Sequence, residues 1–416
     1  MEERCSNCLG CKWIPFDKVK SLRFGENCPS ISWGNFNTYS ARGRFELGLA
    51  FLTGDAELSP LSTEIVHTCT SCGACDVACK VTRYNLEPLE HNIELKAYAV
   101  EHGKLLPLQA EIIDALAKEK TMIRGRKKSS RGAWADGLGL KDLTKEKGEV
   151  LFFPGCKYSY DQALTSSARS AVAILKKAGV DLGYLGNADM CCAGRALQMG
   201  FKDAFTASAK ANIKAIQSTG VKTIVTPCSD CYHAFKRQYQ DLGLGVEILH
   251  VVEYLHRLVK NGKITFTKKI PMQLTYHDPC HLGRLGESFV PWKGKEKKIY
   301  NQIHTWEPRR PRYSGAYGIY DAPRDLIRAI PGVELVEMER IREYSWCCGA
   351  GSNCNETAPE FSRSTAAERI AEANATGASA LVTACPWCES NFRDTKDENG
   401  RTIKVLDIIK LVEMAL

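Results

Sequence analysis

The sequence predicts an α/β protein in which a helical, cysteine-rich segment precedes two copies of a small parallel-sheet unit. Three observations predict it. The 19 cysteines of the 416-residue chain fall into blocks of eight (residues 1–120), five (149–260) and six (271–416). The second and third blocks repeat one pattern: a lone cysteine, an adjacent pair, then a C-x-x-C. Between the pair and the C-x-x-C lie 35 residues in one copy and 36 in the other. In both copies short apolar runs alternate with helical periodicity, which implies parallel strands joined by crossover helices.

The first block carries "CTSCGACDVAC", which supplies Cys69, Cys72, Cys75 and Cys79. This is the C-x2-C-x2-C-x3-C run of bacterial-type ferredoxins, whose four thiolates hold a cubane [4Fe-4S] cluster. Zinc sites use two separated C-x-x-C pairs rather than this triple run. "CSNCLGC" supplies Cys5, Cys8 and Cys11, with a fourth cysteine displaced to Cys28, before Pro29. In two-cluster ferredoxins the fourth cysteine of each run ligates the other cluster. By that rule Cys5, Cys8, Cys11 and Cys79 hold one cubane, and Cys69, Cys72, Cys75 and Cys28 hold the second. The 16 residues between Cys11 and Cys28, and Lys80 rather than proline after Cys79, depart from the usual run.

Residues 121–148 follow. Nine Lys/Arg against three Asp/Glu in 120–148 suggest a solvated basic linker that touches an acidic partner, and no nucleic-acid binding is expected.

In the first copy (149–260), "EVLFFPGC" reads as a strand ending at Cys156 and a helix is expected over 161–178. A short strand then leads to Cys191 and Cys192, and a helix over about 195–219 to "VKTIVTPC", Cys228 and Cys231. In the second copy (271–416), "PMQLTYHDPC" ends at Cys280. Helices over about 322–330 and 360–377 flank Cys347 and Cys348, and "ALVTACPWC" brings Cys385 and Cys388. Cysteines at strand C-terminal ends lie where α/β sheets place their sites.

An adjacent cysteine pair is a chance buried pair, a strained vicinal disulfide, or part of a metal site. Its recurrence favours metal, since the opening "MEERCSNCLGC" does not read as a secretory signal and a reducing, cytoplasmic compartment is expected. No run of 18 apolar residues exists, so any membrane association is expected to be peripheral, through a partner. No GxGxxG after a strand and no Walker motif occur, so neither FAD nor NAD is expected on this chain.

The pattern of a lone cysteine, Cys-Cys-x-Gly and Cys-x-x-Cys, with "HDPCHLGR", "DAPRDLIRAIPGVELVEM" and "TACPWC", resembles the heterodisulfide-reductase D (HdrD) family. That family fuses a two-cubane ferredoxin-type domain to tandem CCG domains; its relatives include the iron–sulfur subunits of glycerol-3-phosphate and glycolate oxidases. The resemblance covers essentially the whole chain. It implies a noncubane [4Fe-4S] cluster in each CCG domain, one on Cys156, Cys191, Cys192, Cys228 and Cys231 and one on Cys280, Cys347, Cys348, Cys385 and Cys388. It also implies an iron–sulfur electron-transfer subunit of an anaerobic redox complex, in a setting like the soluble benzoyl-CoA-reductase complexes. Expected partners are flavoprotein, electron-transfer-flavoprotein, ferredoxin-type or HdrA-like subunits. A disulfide reductase is the alternative and a zinc scaffold the remote one.

Two departures from the family pattern stand out. The first copy reads CCAG, with Ala193 read as an insertion before the glycine, and residues 287–318 form a basic, aromatic insertion read as a docking element. His277, Asp278 and His281 bracket Cys280 and are candidate proton carriers, with capping of the cluster loop as the plainer reading. His233 is subject to the same choice. Cys354 is either a buried small residue or a reactive thiol, and Arg195 and Arg284 either balance cluster charge or lie on the surface.

Overall fold

The computed structural model describes residues 5–80, 86–290, 292–300 and 303–416. The amino-terminal block is helical, with its principal helices at Ala41–Thr53, Pro60–His67, Ala74–Cys79, Pro88–Glu101 and Gln109–Glu119. Local sequence sets these ends. Ser59 and Ser62 form a reciprocal capping box ahead of Pro60, whose missing N–H suits the first helical turn. Arg44 is buried at the centre of the block, donating from Nη2 and Nε to the carbonyls of Ile65 and Thr68 and to Ser30 Oγ. Fixing three segments with one side chain replaces the large apolar core that this block lacks.

The first repeat holds strands β1 (Lys141–Asp142), β2 (Val150–Phe152), β3 (Leu182–Tyr184), β4 (Thr223–Thr226) and β5 (Glu247–His250), all parallel in the order β1-β3-β2-β4-β5. The second holds β6 (Met272–His277), β9 (Val333–Leu335), β10 (Ala380–Thr383) and β11 (Lys404–Asp407), parallel in the order β11-β10-β6-β9. Read from the other edge this is β9-β6-β10-β11, the order β3-β2-β4-β5 of the first. Helices cover both sheets, so β2 and β10 are buried along their whole length. Helix Gln162–Lys177 buries Leu164, Ala168, Ala171, Val172 and Leu175, a stripe at helical spacing. It packs on Ile408–Ala415 of the other repeat, where Ser170 Oγ lies 2.6 Å from Glu413 Oε1. The mixed architecture of a helical block with two α/β repeats is the one expected.

Three sequence expectations need correction. Residues 121–148 are not a solvated linker. Arg131 and Trp134 are 2% exposed, and Lys141–Asp142 extends the first sheet as an edge strand. The helix expected over about 195–219 is two helices, Gly194–Gln198 and Lys202–Thr219. The break falls at Gly200 (φ 96°), where a Cβ would lie 2.5 Å from the Lys96 carbonyl carbon. Nor is Ala193 an insertion. Its N–H donates to Cys191 Sγ at 3.3 Å, as Gly349 N–H does to Cys347 Sγ at 3.3 Å, and both residues have positive φ (54° and 89°). Ala193 therefore replaces Gly349 at one left-handed position, where a non-glycine residue costs roughly 1 kcal/mol.

Residues 287–318 carry an antiparallel hairpin, β7 (Lys295–Ile299) and β8 (Ile303–Glu307). Every residue of β7 is exposed. The base of the insertion is anchored: Arg312 Nη1 donates to Lys80 O at 3.2 Å, and Gly315 N–H to Glu287 at 2.5 Å.

Candidate metal centre

Cys5, Cys8, Cys11 and Cys79 line one cleft with Phe45, Leu86 and Pro88, and Cys8 is exposed. Cys28 stands next to Cys69 and Cys72, and Cys75 next to Cys28, Cys69 and Cys72. Helix Ala74–Cys79 joins the two groups, because Cys75 and Cys79 are four residues apart and so share a face. Cys28 caps helix Pro29–Gly34, and burial pushes its thiol up to about 12.

The lone cysteines and the C-x-x-C pairs follow the C-terminal ends of β2 and β4 in one copy and of β6 and β10 in the other, central strands of each sheet, while the adjacent pairs lie in the loops after β3 and β9. Cys228 and Cys385 cap the helices Ser229–His233 and Pro386–Phe392. Cys192 is hydrogen-bonded to Cys191 and Cys231, and Cys348 to Cys347 and Cys388. All ten thiols are 9% exposed or less.

The groups also touch one another. Cys72 of the helical block packs with Cys280 and Cys347 and is hydrogen-bonded to Cys347. Thr70 Oγ1 lies 3.4 Å from Cys347 Sγ. Cys228 of the first repeat is hydrogen-bonded to Cys385 of the second. The four groups thus form a file, with the exposed cleft at one end and the first repeat at the other.

Buried cations surround them. Lys96 is fully buried and its Nζ lies within hydrogen-bond distance of four oxygens, Cys69 O (2.6 Å), Ser71 Oγ (3.1 Å), Gln198 O (3.2 Å) and Ser352 Oγ (3.0 Å), with no carboxylate among them. Arg284 donates to the carbonyls of Glu343 and Ser345. Arg131 Nη1 donates to Cys156 Sγ at 3.3 Å while its Nε holds Asp189 at 2.9 Å. Lys96 and Arg284, buried and bonded to neutral oxygens, call for nearby negative charge. An all-thiolate anionic cluster supplies it, so the donor set and its surroundings fit iron–sulfur clusters.

Of the candidate proton carriers, Asp278 is clamped by Arg324 through bonds of 2.6 and 2.9 Å and accepts from Arg342 N–H at 2.9 Å. Burial alone would raise its carboxyl, but the Arg324 bonds and charge hold it below the usual range. His281 Nδ1 lies 2.9 Å from Asp230 Oδ1 and 3.4 Å from Cys280 Sγ, and its ring is 5.0 Å from that of His233. His277 accepts at Nδ1 from Arg369 Nε (3.1 Å). Cys354 is fully buried, its thiol pushed up to about 12 by burial. Arg195 is buried too, stacked 3.7 Å over the Trp387 ring. Sequence reasoning missed Lys96, Arg131 and Arg324, since lysines and arginines at no special spacing carry no signal of burial.

The cysteine-rich CCG domain family matches residues 150–236 and 310–393. The chain is 30% identical over 427 residues to the HdrD component of the dihydromethanophenazine:CoB–CoM heterodisulfide reductase of Methanosarcina barkeri, covering 99% of this chain and 93% of that one. It is 29% identical to a probable iron-sulfur-binding oxidoreductase of Bacillus subtilis (97% of this chain, 53% of that protein) and 26% identical to the EtfAB:quinone oxidoreductase of Syntrophomonas wolfei (86% and 47%), spanning about half of each. A hypothetical protein from Helicobacter pylori has a similar fold, with a TM-score of 0.50 at 11% identity over 81% of this chain and 60% of that one. Two CCG domains behind a helical cysteine-rich block, together with this near-complete alignment, make the chain a member of the heterodisulfide-reductase D family.

Proposed function

We propose that this chain is the iron–sulfur electron-transfer subunit of a multisubunit oxidoreductase. Cubane [4Fe-4S] clusters would be held by Cys5, Cys8, Cys11 and Cys79 and by Cys28, Cys69, Cys72 and Cys75. Noncubane clusters would be held by Cys156, Cys191, Cys192, Cys228 and Cys231 and by Cys280, Cys347, Cys348, Cys385 and Cys388. Bound there, such clusters store and pass single electrons. The observation that carries the reading is the file of thiol groups, above all the packing of Cys72 on Cys347. The protein's own contribution is to set the spacing, exclude water from the inner groups and balance their charge with Lys96, Arg131 and Arg284.

Anaerobic metal analysis tests it: about sixteen irons per chain and no stoichiometric zinc are expected, four irons to each cluster. About eight irons would remove the two repeat clusters from the reading.

The partner is a redox subunit, flavoprotein or electron-transfer flavoprotein in kind, as the name of the Syntrophomonas relative suggests. Its docking element is the exposed hairpin β7–β8, with Lys295, Lys297 and Lys298 on one strand. Replacing residues 293–307 with a short Gly-Ser bridge leaves the anchored base in place. It should keep iron and thermal stability within about 0.5 kcal/mol, as surface changes do, while co-purification of the partner is lost. Retained association would make the hairpin a plain surface loop.

A second reading, a disulfide-reducing catalytic subunit, is favoured by one observation. The two C-x-x-C turns face each other, with Cys228 hydrogen-bonded to Cys385. Turnover of a mixed thiol-cofactor disulfide by the isolated holo-chain with a chemical reductant separates the two readings.

A further inference from the structure

The two repeats superimpose in connectivity, which makes their differences informative. Three residues before the lone cysteine stands Phe153 in the first copy and His277 in the second. Each ring meets a phenylalanine edge-on, four residues after the last cysteine of its copy. Phe153 lies on Phe235 at 4.8 Å and 87°, His277 on Phe392 at 4.9 Å and 88°. The positions are equivalent, and an imidazole replaces a phenyl at only one of them.

The imidazole is 1% exposed, and a ring nitrogen lies within 4.8 Å of the sulfurs of both Cys348 and Cys388. Arg369 fixes its tautomer. A guanidinium only donates, so the Nδ1 that receives Arg369 Nε at 3.1 Å carries the lone pair, and the proton of the neutral ring sits on Nε2. Arg369 is itself held by Glu372 (2.6 Å) and by Ser345 Oγ (3.0 Å). His277 Nε2 has no hydrogen-bond partner among the described residues. A buried N–H without a partner, on a ring beside two thiols, needs an acceptor. A nitrogen that carries its proton cannot coordinate iron, so this histidine is not a sixth ligand.

Resting on the cluster assignment proposed above, we infer that His277 is a positioning residue whose Nε2–H donates to cluster sulfur in the second repeat and raises that cluster's reduction potential relative to the first. Hydrogen bonds to cluster sulfurs stabilise the more negative, reduced state. The first copy has no such donor at Phe153.

The test is His277→Phe, which installs the ring that the first repeat already tolerates, with His277→Gln as the variant that keeps an N–H. Redox titration of the holo-protein followed by electron paramagnetic resonance reads each cluster separately. In His277→Phe the second-repeat signal should move to more negative potential at unchanged iron content, with the other signals unmoved, and His277→Gln should restore part of the shift. An unmoved potential in His277→Phe overturns the inference, and so does loss of about four irons, which would make His277 a ligand. Absence of any noncubane signal from the unsubstituted protein overturns the cluster assignment itself, and the inference with it.

Discussion

Arg324→Leu should destabilise the second repeat by about 3–5 kcal/mol, the range for removing one partner from a buried ion pair. Arg324 and Asp278 are 1% and 2% exposed, and the guanidinium also holds Glu337 at 2.7 and 3.0 Å. Without it the Asp278 carboxylate stays buried, two residues before Cys280, with the Arg342 N–H as its remaining strong donor. Thermal unfolding of the iron-loaded protein reads the loss as a fall of about 10 °C in the transition of that repeat. Asp278→Asn on the Arg324→Leu background should recover part of it, because the uncompensated charge is gone. The sign with pH follows from the depressed carboxyl: its contribution is complete at neutral pH and fades as pH falls through the folded-state value. An Arg324→Leu protein that melts like the parent would restore Asp278 as a candidate proton carrier.

Cys192→Ala should remove one cluster and leave three, about twelve irons instead of sixteen. Cys192 is buried, hydrogen-bonded to both Cys191 and Cys231, and lies at the far end of the file from the exposed cleft at Cys8. Cubane signals should survive, since its thiol partners all lie within the first repeat. Loss of a cubane signal would show that the grouping of ligands is wrong. The same substitution at Cys347 differs in kind. That thiol also packs on Cys72, so Cys347→Ala should broaden or shift a cubane signal as well.

The repeat was legible because spacing is a one-dimensional property. The gaps between paired cysteines and C-x-x-C survive in sequence, and the matching strand orders of the two sheets follow from that duplication. What could not be read was any contact between blocks. Nothing near Cys72 marks it as the neighbour of Cys347, and nothing in "RGRKKSSR" separates the buried Arg131 from solvated lysines beside it. Helix breaks failed for the same reason. Gly200 looks like one tolerable glycine in a helical pattern until the backbone of Lys96 is brought against it. Ala193 misleads because the sequence shows an extra residue before a glycine, while the fold counts positions from the cysteine pair.

The burial of the inner thiols also dictates an order of manufacture. All ten cysteines of the two repeat groups are sealed to 9% exposure or less, and Lys96 ties the helical block to both repeats through Gln198 and Ser352. Cys192 and Cys388 are 5% and 3% exposed, so iron and sulfide would reach them by opening the contacts between those three units. On the cluster assignment proposed above, the inner clusters would be built before those contacts close, and closure would then lock them in. The cleft at Cys8 stays exposed in the closed fold, so a cluster held there could be filled last, or refilled after damage.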